Sequence, residues 1–170
     1  MKYKALLLLA LSFLTSQSYA LPPGIKYIEK PWKAPEIGLT DIDGRKHTLK
    51  NYQGNILIIN FWGTWCQPCR KEMPALQRAY RQLKKENISI IAIAMGDTSS
   101  DVMQYRNNNP VDFALISDKD SMVSTNWSIP ALPTSYILNQ SGEVIIRVIG
   151  EYEWDNPHFL KEIIALKSKN

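Results

Sequence analysis

One junction constrains the fold of this sequence more than any other feature: an apolar segment leads within a few residues into a cysteine pair that opens a helical segment. Residues 56–61 form the β-branched apolar run Ile-Leu-Ile-Ile-Asn-Phe, which is typical of a central strand buried on both faces. Residues 66–86 then carry apolar side chains at helical spacing, namely Met73, Leu76, Ala79, Tyr80 and Leu83. A buried strand followed directly by an amphipathic helix predicts a layered α/β domain.

The rest of the chain continues this alternation of strands and helices. The predicted elements are a hairpin over residues 39–49 turning at Asp43-Gly44, a strand over 88–95, a helix over 99–108, a strand over 113–116, a short helix over 121–127, a hairpin of 134–139 with 143–149, and a last helix over 157–168. Such an order indicates an α/β domain built on a mixed central sheet with flanking helices.

The first 20 residues have the three parts of a secretory signal peptide. Two lysines precede an apolar stretch over residues 5–14, and Ser18-Tyr19-Ala20 places small residues at the positions that a signal peptidase reads. The alternative is an uncleaved anchor helix, but an apolar core of about 10 residues is short for a bilayer. We therefore predict a cleavable signal over residues 1–20 and a periplasmic protein.

Net charge gives little information about partners once the signal is removed. The full chain has 20 basic and 16 acidic side chains, and two of the lysines lie within the first 20 residues. The processed chain therefore keeps 18 basic against 16 acidic side chains, a net charge of +2. A charge this small does not favour a polyanion, so no nucleic-acid partner is predicted.

The processed chain is predicted to be a short extension followed by one domain. Residues 21–35 contain four prolines, which predicts an extended segment that packs on or hangs from the domain edge. Residues 36–170 have the length of a single domain. We expect the protein to be a monomer.

The cysteine pair Trp65-Cys66-Gln67-Pro68-Cys69 carries the chemistry. At the N-terminus of a helix, unpaired N–H groups and the helix dipole favour an anion, so the Cys66 thiol should ionise more readily than a free thiol. Pro68 suits the first helical turn because its backbone angle is already helical. Cys69 lies one turn further in and should be the buried, resolving thiol.

Two other uses of the cysteines are weaker. A disulfide across about four residues gains only about 2 kcal/mol in the chain-entropy model, so this is a poor place for a structural crosslink. The only histidines, His47 and His158, lie far away in sequence, and no second cysteine pair completes a metal site. We therefore predict a redox-active Cys66–Cys69 disulfide, with no metal and no further cofactor.

Two blocks of sequence resemble the thioredoxin superfamily, and more closely its exported TlpA/ResA/DsbE(CcmG)-like branch. Residues 52–74 read Tyr-Gln-Gly-Asn-Ile-Leu-Ile-Ile-Asn-Phe-Trp-Gly-Thr-Trp-Cys-Gln-Pro-Cys-Arg-Lys-Glu-Met-Pro, and residues 129–139 read Ile-Pro-Ala-Leu-Pro-Thr-Ser-Tyr-Ile-Leu-Asn. The resemblance covers about residues 35–168. It implies a thioredoxin fold with an N-terminal β-hairpin and a central helix–strand insertion.

The resemblance also implies the surroundings of the cysteines. Pro133 should follow a cis peptide bond and face the cysteines, which would expose the backbone of Leu132 to an incoming extended peptide. Trp65 should shield and shape the site. With Pro68, Thr134 and Asn60, these residues are expected to bind substrate or support the site.

A carboxylate is expected to act on the resolving thiol. Thioredoxins have a buried Asp on the strand before the cysteines, where this sequence has Asn60, and an amide cannot act as a general base. This branch resembles proteins with a Glu three residues after the second cysteine, here Glu72. If partly buried, Glu72 would have a raised pKa and could accept the Cys69 proton. The alternative is an exposed Glu72 paired with Lys71 or Arg70.

These features predict a thiol–disulfide oxidoreductase acting on exported proteins. The resemblance favours a reductase, with apocytochrome c, a copper chaperone or other exported thiol proteins as substrates and a membrane DsbD/CcdA-type electron donor. Small differences in thiolate stabilisation set the direction of electron flow, so a disulfide oxidase or isomerase stays open.

Two further classes of function have weaker support. A copper(I)-handling protein would use the same thiol pair, and metal titration of the protein against a Cys66→Ser control distinguishes it. A peroxidase is unsupported, because the Pro-x-x-x-Thr-x-x-Cys pattern does not precede Cys66.

Overall fold

A six-stranded mixed sheet forms the centre of the computed structural model, which describes residues 24–168. The predicted signal peptide over residues 1–20 lies outside the described residues, as do residues 21–23 of the predicted extension. In the part of the chain that is described, no helix has the length and apolar character needed to cross a membrane.

Eight strands and four α-helices make up the described chain. The strands are β1 (Ile25–Lys33), β2 (Leu39–Thr40), β3 (Lys46–His47), β4 (Leu57–Trp62), β5 (Ser89–Met95), β6 (Ala114–Asp118), β7 (Thr134–Leu138) and β8 (Glu143–Ile149). The helices are α1 (Gln67–Leu83), α2 (Ser99–Asn108), α3 (Met122–Asn126) and α4 (Pro157–Ala165).

The sheet has the strand order β1-β8-β7-β4-β5-β6, and β2 with β3 forms a separate hairpin. Strand β4 pairs in parallel with β5 and antiparallel with β7, while β5 pairs in parallel with β6. The predicted α/β class with a mixed sheet is confirmed, as are the early hairpin and the helix–strand pair α2–β6.

Strand β4 lies at the centre of the sheet, and all six of its residues are buried. Its alternate side chains enter two separate apolar clusters: Ile58 packs with Met73 of α1, and Ile59 packs with Trp127 on the opposite face. Burial on both faces explains the uninterrupted apolar run in the sequence. It also holds the end of β4, from which the cysteines follow, at a fixed place in the fold.

Most of the proline-rich extension belongs to the sheet. Its residues 25–33 form β1, an edge strand that pairs antiparallel with β8, and the sheet therefore begins before residue 36. The register is irregular between Tyr27 and Trp32, and Pro31, which has no N–H to donate, falls in that stretch. The sequence predicted an extended segment here but not its pairing with β8.

Candidate active site

The two cysteines are joined in a disulfide at the start of α1. Cys66 caps the helix, and its sulfur accepts a hydrogen bond from the Cys69 N–H at 3.3 Å. The S–S bond is 2.07 Å long, and Pro68 lies in the first turn between the two cysteines. Cys66 is 6% exposed and Cys69 is fully buried. Cys66 is therefore the sulfur that an incoming molecule can reach.

The turn before Cys66 is tied to the end of β5 by a buried carboxylate. Asp97 accepts hydrogen bonds from the Thr64 N–H and hydroxyl, each at 2.7 Å. A Cβ on Gly63 would lie 2.8 Å from an indole carbon of Trp65, so a larger residue at position 63 would force that ring to shift. Trp65 is nevertheless 66% exposed. The turn thus presents a large aromatic surface beside the disulfide.

The loop before β7 reaches the same edge of the sheet. Phe61 of β4 pairs with Thr134 of β7, which puts Pro133 level with the end of β4. The Leu132–Pro133 peptide bond is cis, as predicted. Leu132 packs against the apolar cluster that contains both cysteines. Within residues 24–168 the Leu132 amide and carbonyl make no backbone hydrogen bond, so both are available to an extended peptide.

Glu72 is buried, with 2% of its surface exposed, one helical turn after Cys69. Its Oε1 accepts from the Asn60 amide nitrogen at 2.8 Å, and its Oε2 accepts from the Tyr152 N–H at 3.0 Å and the Trp154 indole N–H at 3.2 Å. The alternative of an exposed Glu72 paired with Lys71 or Arg70 is wrong, because Glu72 is buried and both of its oxygens have these other partners. Lys71 pairs with Glu151.

Burial raises the pKa of Glu72 to about 7, against the hydrogen bonds from Asn60, Tyr152 and Trp154, which lower it. The carboxyl group therefore exchanges its proton near neutral pH. Residues three apart on a helix lie on the same face, which places Glu72 on the side of α1 that carries Cys69. A buried group with this pKa can take a proton from a thiol or return it.

Asn60 is suited to both protonation states of this carboxyl group. Its Nδ2 donates to Glu72 and to Ser135, while its buried Oδ1 has no partner within residues 24–168. A half-turn of the amide would let Oδ1 accept a hydrogen bond from a protonated Glu72. An aspartate at position 60 could not donate to the ionised form.

Folding stability should depend on pH through Glu72. In the unfolded chain Glu72 has its ordinary pKa of 4.5, whereas in the folded protein its pKa is about 7. The folded state binds more protons in this window, so the free energy of unfolding falls as pH rises through it, by about 3 kcal/mol. Glu72→Gln should remove this loss, as measured by urea unfolding of the oxidised protein from pH 4 to 8.

The matched control for that experiment is Glu153→Gln, which changes an exposed carboxyl group nearby. It should leave the slope of stability against pH as in the unsubstituted protein. Parallel curves for Glu72→Gln and the unsubstituted protein would contradict the assignment of this slope to Glu72.

Sequence reasoning placed Cys66, Cys69, Asn60 and Glu72 in one region but missed some of the groups around them. Asp97 follows the strand beside β4, and the meeting of parallel strand ends at one edge could have indicated it. The Tyr152 N–H and the Trp154 indole come from the segment after β8, and no local pattern marks them as partners of Glu72. Among residues 24–168, no cluster of three or more His, Cys, Asp or Glu side chains could hold a metal.

The fold and the site together define a class: a thiol–disulfide oxidoreductase with a thioredoxin fold. The protein belongs to the AhpC/TSA family, which matches it over residues 32–147. Relatives of the protein are named as thiol–disulfide oxidoreductases.

Two such relatives are thiol–disulfide oxidoreductases named ResA. The protein from Bacillus anthracis is 35% identical over 119 residues, covering 70% of this chain and 69% of that protein. The protein from Bacillus subtilis (strain 168) is 32% identical over 127 residues, covering 75% of this chain and 71% of that protein. The likeness therefore extends over most of the domain rather than over a short motif.

Solved structures support the fold. A secreted thiol-disulfide isomerase from Corynebacterium glutamicum superposes with a TM-score of 0.76 at 21% identity, over 88% of this chain and 96% of that one. StoA from Bacillus subtilis superposes with a TM-score of 0.65 at 23% identity, over 75% of this chain and 97% of that one. At identities of 21% and 23%, these superpositions support the thioredoxin fold and nothing more specific.

Proposed function

We propose that the protein is exported by its first 20 residues and acts in the periplasm as a reductase of disulfides in other exported proteins. The observation that carries the thiol-exchange activity in this proposal is the buried Glu72 one turn after Cys69. A resolving thiol in a buried site needs a nearby proton acceptor before it can attack, and Glu72 supplies one that ionises near neutral pH.

The reaction runs in two exchanges. The Cys66 thiolate attacks one sulfur of a substrate disulfide, which forms a mixed disulfide and releases the other substrate sulfur as a thiolate. Cys69 then passes its proton to Glu72 and attacks the Cys66 sulfur. This forms the Cys66–Cys69 disulfide and releases the second substrate thiolate, so two electrons pass to the substrate.

The surroundings of Cys66 favour the reducing direction. Strongly oxidising proteins of this kind owe their potential to a stabilised reduced form. Here the residues between the cysteines, Gln67 and Pro68, carry no charge. Within residues 24–168, the one hydrogen bond to the Cys66 sulfur comes from the Cys69 N–H. Beyond the helix N-terminus, the Cys66 thiolate therefore has no charged group between the cysteines to stabilise it, which favours the dithiol as an electron donor.

The family resemblance supports a proposal for the substrate and for the electron donor. An extended segment of an exported protein, such as an apocytochrome c or a copper chaperone, would pair with the Leu132 backbone beside Trp65. A membrane dithiol donor of the DsbD/CcdA type would return the disulfide to the reduced form.

A trapping experiment in the native compartment tests this function. Cys69→Ser should leave mixed disulfides on Cys66 because the second exchange cannot occur, and mass spectrometry would identify the bound proteins. A Cys66→Ser, Cys69→Ser double variant is the control. We expect exported thiol proteins to be captured. Absence of any mixed disulfide, or capture of a disulfide-generating membrane oxidase in place of substrates, would contradict the reductase assignment.

A further inference from the structure

Trp154 is one of three tryptophans in the described chain that are almost completely buried, together with Trp62 and Trp127. Only the Trp154 indole N–H has a hydrogen-bond partner within residues 24–168, and that partner is Glu72. Burial of a tryptophan in this fold therefore does not by itself bring its N–H to an acceptor. The contact with Glu72 is specific to the position of Trp154.

The segment that carries Trp154 is fixed on both sides of this contact. The Trp154 ring packs edge-to-face on Tyr152 at 5.5 Å and on Phe159 of α4 at 5.8 Å between ring centroids. The next residue, Asp155, forms an ion pair with Arg78 of α1 at 2.6 Å. These contacts hold the indole N–H in place against Glu72.

We propose that Trp154 is a positioning residue for thiol exchange: its indole N–H, with the Tyr152 amide, holds Oε2 of Glu72 and keeps this carboxyl group ready to accept the Cys69 proton. The inference rests on the proposed role of Glu72 and deepens it. An indole N–H can only donate, so it stabilises the ionised carboxylate over the protonated acid.

The other groups that face Glu72 do not replace this contribution. Asn60 donates to the other oxygen, Oε1, and Ser135 is bonded to Asn60 rather than to Glu72. Glu151 acts in the opposite sense, because its negative charge helps to raise the pKa of Glu72. Burial raises the pKa of the Tyr152 phenol, so that group stays uncharged near neutral pH. Cys69 lies on the same helix and is the proton donor in the proposed step.

The test compares Trp154→Phe with the unsubstituted protein in single-turnover reduction of dithiobis(nitrobenzoate) by the reduced protein from pH 5 to 9. Release of the second thionitrobenzoate reports the attack by Cys69. Loss of one hydrogen bond to the carboxylate should move the midpoint of this step upward by about one pH unit, which slows it about five-fold at pH 7.

Trp127→Phe is the matched control, because it removes an equally buried indole N–H that has no partner among residues 24–168. Its midpoint should stay at the unsubstituted value. In a Glu72→Gln background, Trp154→Phe should have no effect on the pH profile. An equal shift from Trp127→Phe, or a shift that persists without Glu72, would overturn the proposal.

A second measurement needs no substitution. In NMR titration of the unsubstituted protein, the Trp154 indole proton should shift with the same midpoint as the Glu72 carboxyl carbon, while the Trp127 indole proton should not. A shift of the Trp154 indole proton with a different midpoint from that of the Glu72 carboxyl carbon would overturn the proposal. If Glu72→Gln alone leaves the exchange profile unchanged, the role of Glu72 fails. If only Trp154→Phe has no effect, that role stands and this inference fails.

Discussion

Asn60→Asp should lower the free energy of unfolding by about 3 kcal/mol at pH 8 and by much less at pH 5. The substitution puts a second carboxyl group 2.8 Å from Oε1 of Glu72, in a place where neither side chain reaches solvent. At pH 5 the pair can share a proton, but at pH 8 two buried negative charges face each other. Urea unfolding at the two pH values measures the difference.

The control for this prediction exchanges the two groups. In Asn60→Asp combined with Glu72→Gln, the pocket again holds one carboxyl group and one amide, so most of the lost stability should return. If the free energy of unfolding falls equally at both pH values and does not recover in the double variant, the effect comes from packing and the prediction is wrong. The expected result explains why a chain with Glu72 carries Asn60 where thioredoxins carry an Asp.

Cys66→Ser should reduce thiol–disulfide exchange by about three orders of magnitude or more, because a serine hydroxyl is barely ionised at neutral pH and the thiolate is the nucleophile. Cys69→Ser should behave differently, with a normal first attack and a mixed disulfide that persists. Stopped-flow reduction of dithiobis(nitrobenzoate) separates the two: one equivalent of product is expected from Cys69→Ser and almost none from Cys66→Ser.

The reverse pattern, in which Cys69→Ser is inactive and Cys66→Ser forms the adduct, would contradict the order of attack. The predicted order rests on the difference in exposure, because Cys66 is 6% exposed and Cys69 is fully buried. Unfolded controls, in which both thiols are equally accessible, should remove the difference between the two variants.

Local patterns were enough to predict the parts of this fold that depend on neighbouring residues. The apolar run over residues 56–61 predicted β4, and the cysteine pair with Pro68 marked the start of α1. Strand β1 could be predicted only as extended, because its identity as a strand depends on pairing with β8, more than a hundred residues later. Its proline and its four charged side chains hid that pairing.

The active site likewise combines residues that the sequence patterns predicted with residues that they did not. The family pattern identified Glu72, and the spacing from Cys69 predicted its place on α1. Its partners could not be predicted, because the Tyr152 N–H is a backbone group and Trp154 is brought to Glu72 only when the segment after β8 packs on α1. Contacts between residues 80 or more positions apart come from tertiary packing, which no local pattern records.

The reduction potential of the Cys66–Cys69 pair, measured by equilibration with glutathione or dithiothreitol buffers at pH 7, tests the proposed direction of electron flow most directly. A reductase whose Cys66 thiolate is stabilised by the helix N-terminus but by no charged group between the cysteines should have a potential at or below about −230 mV, in the range from glutaredoxins to thioredoxin. A potential near −120 mV, that of a strong disulfide oxidant, would contradict the assignment.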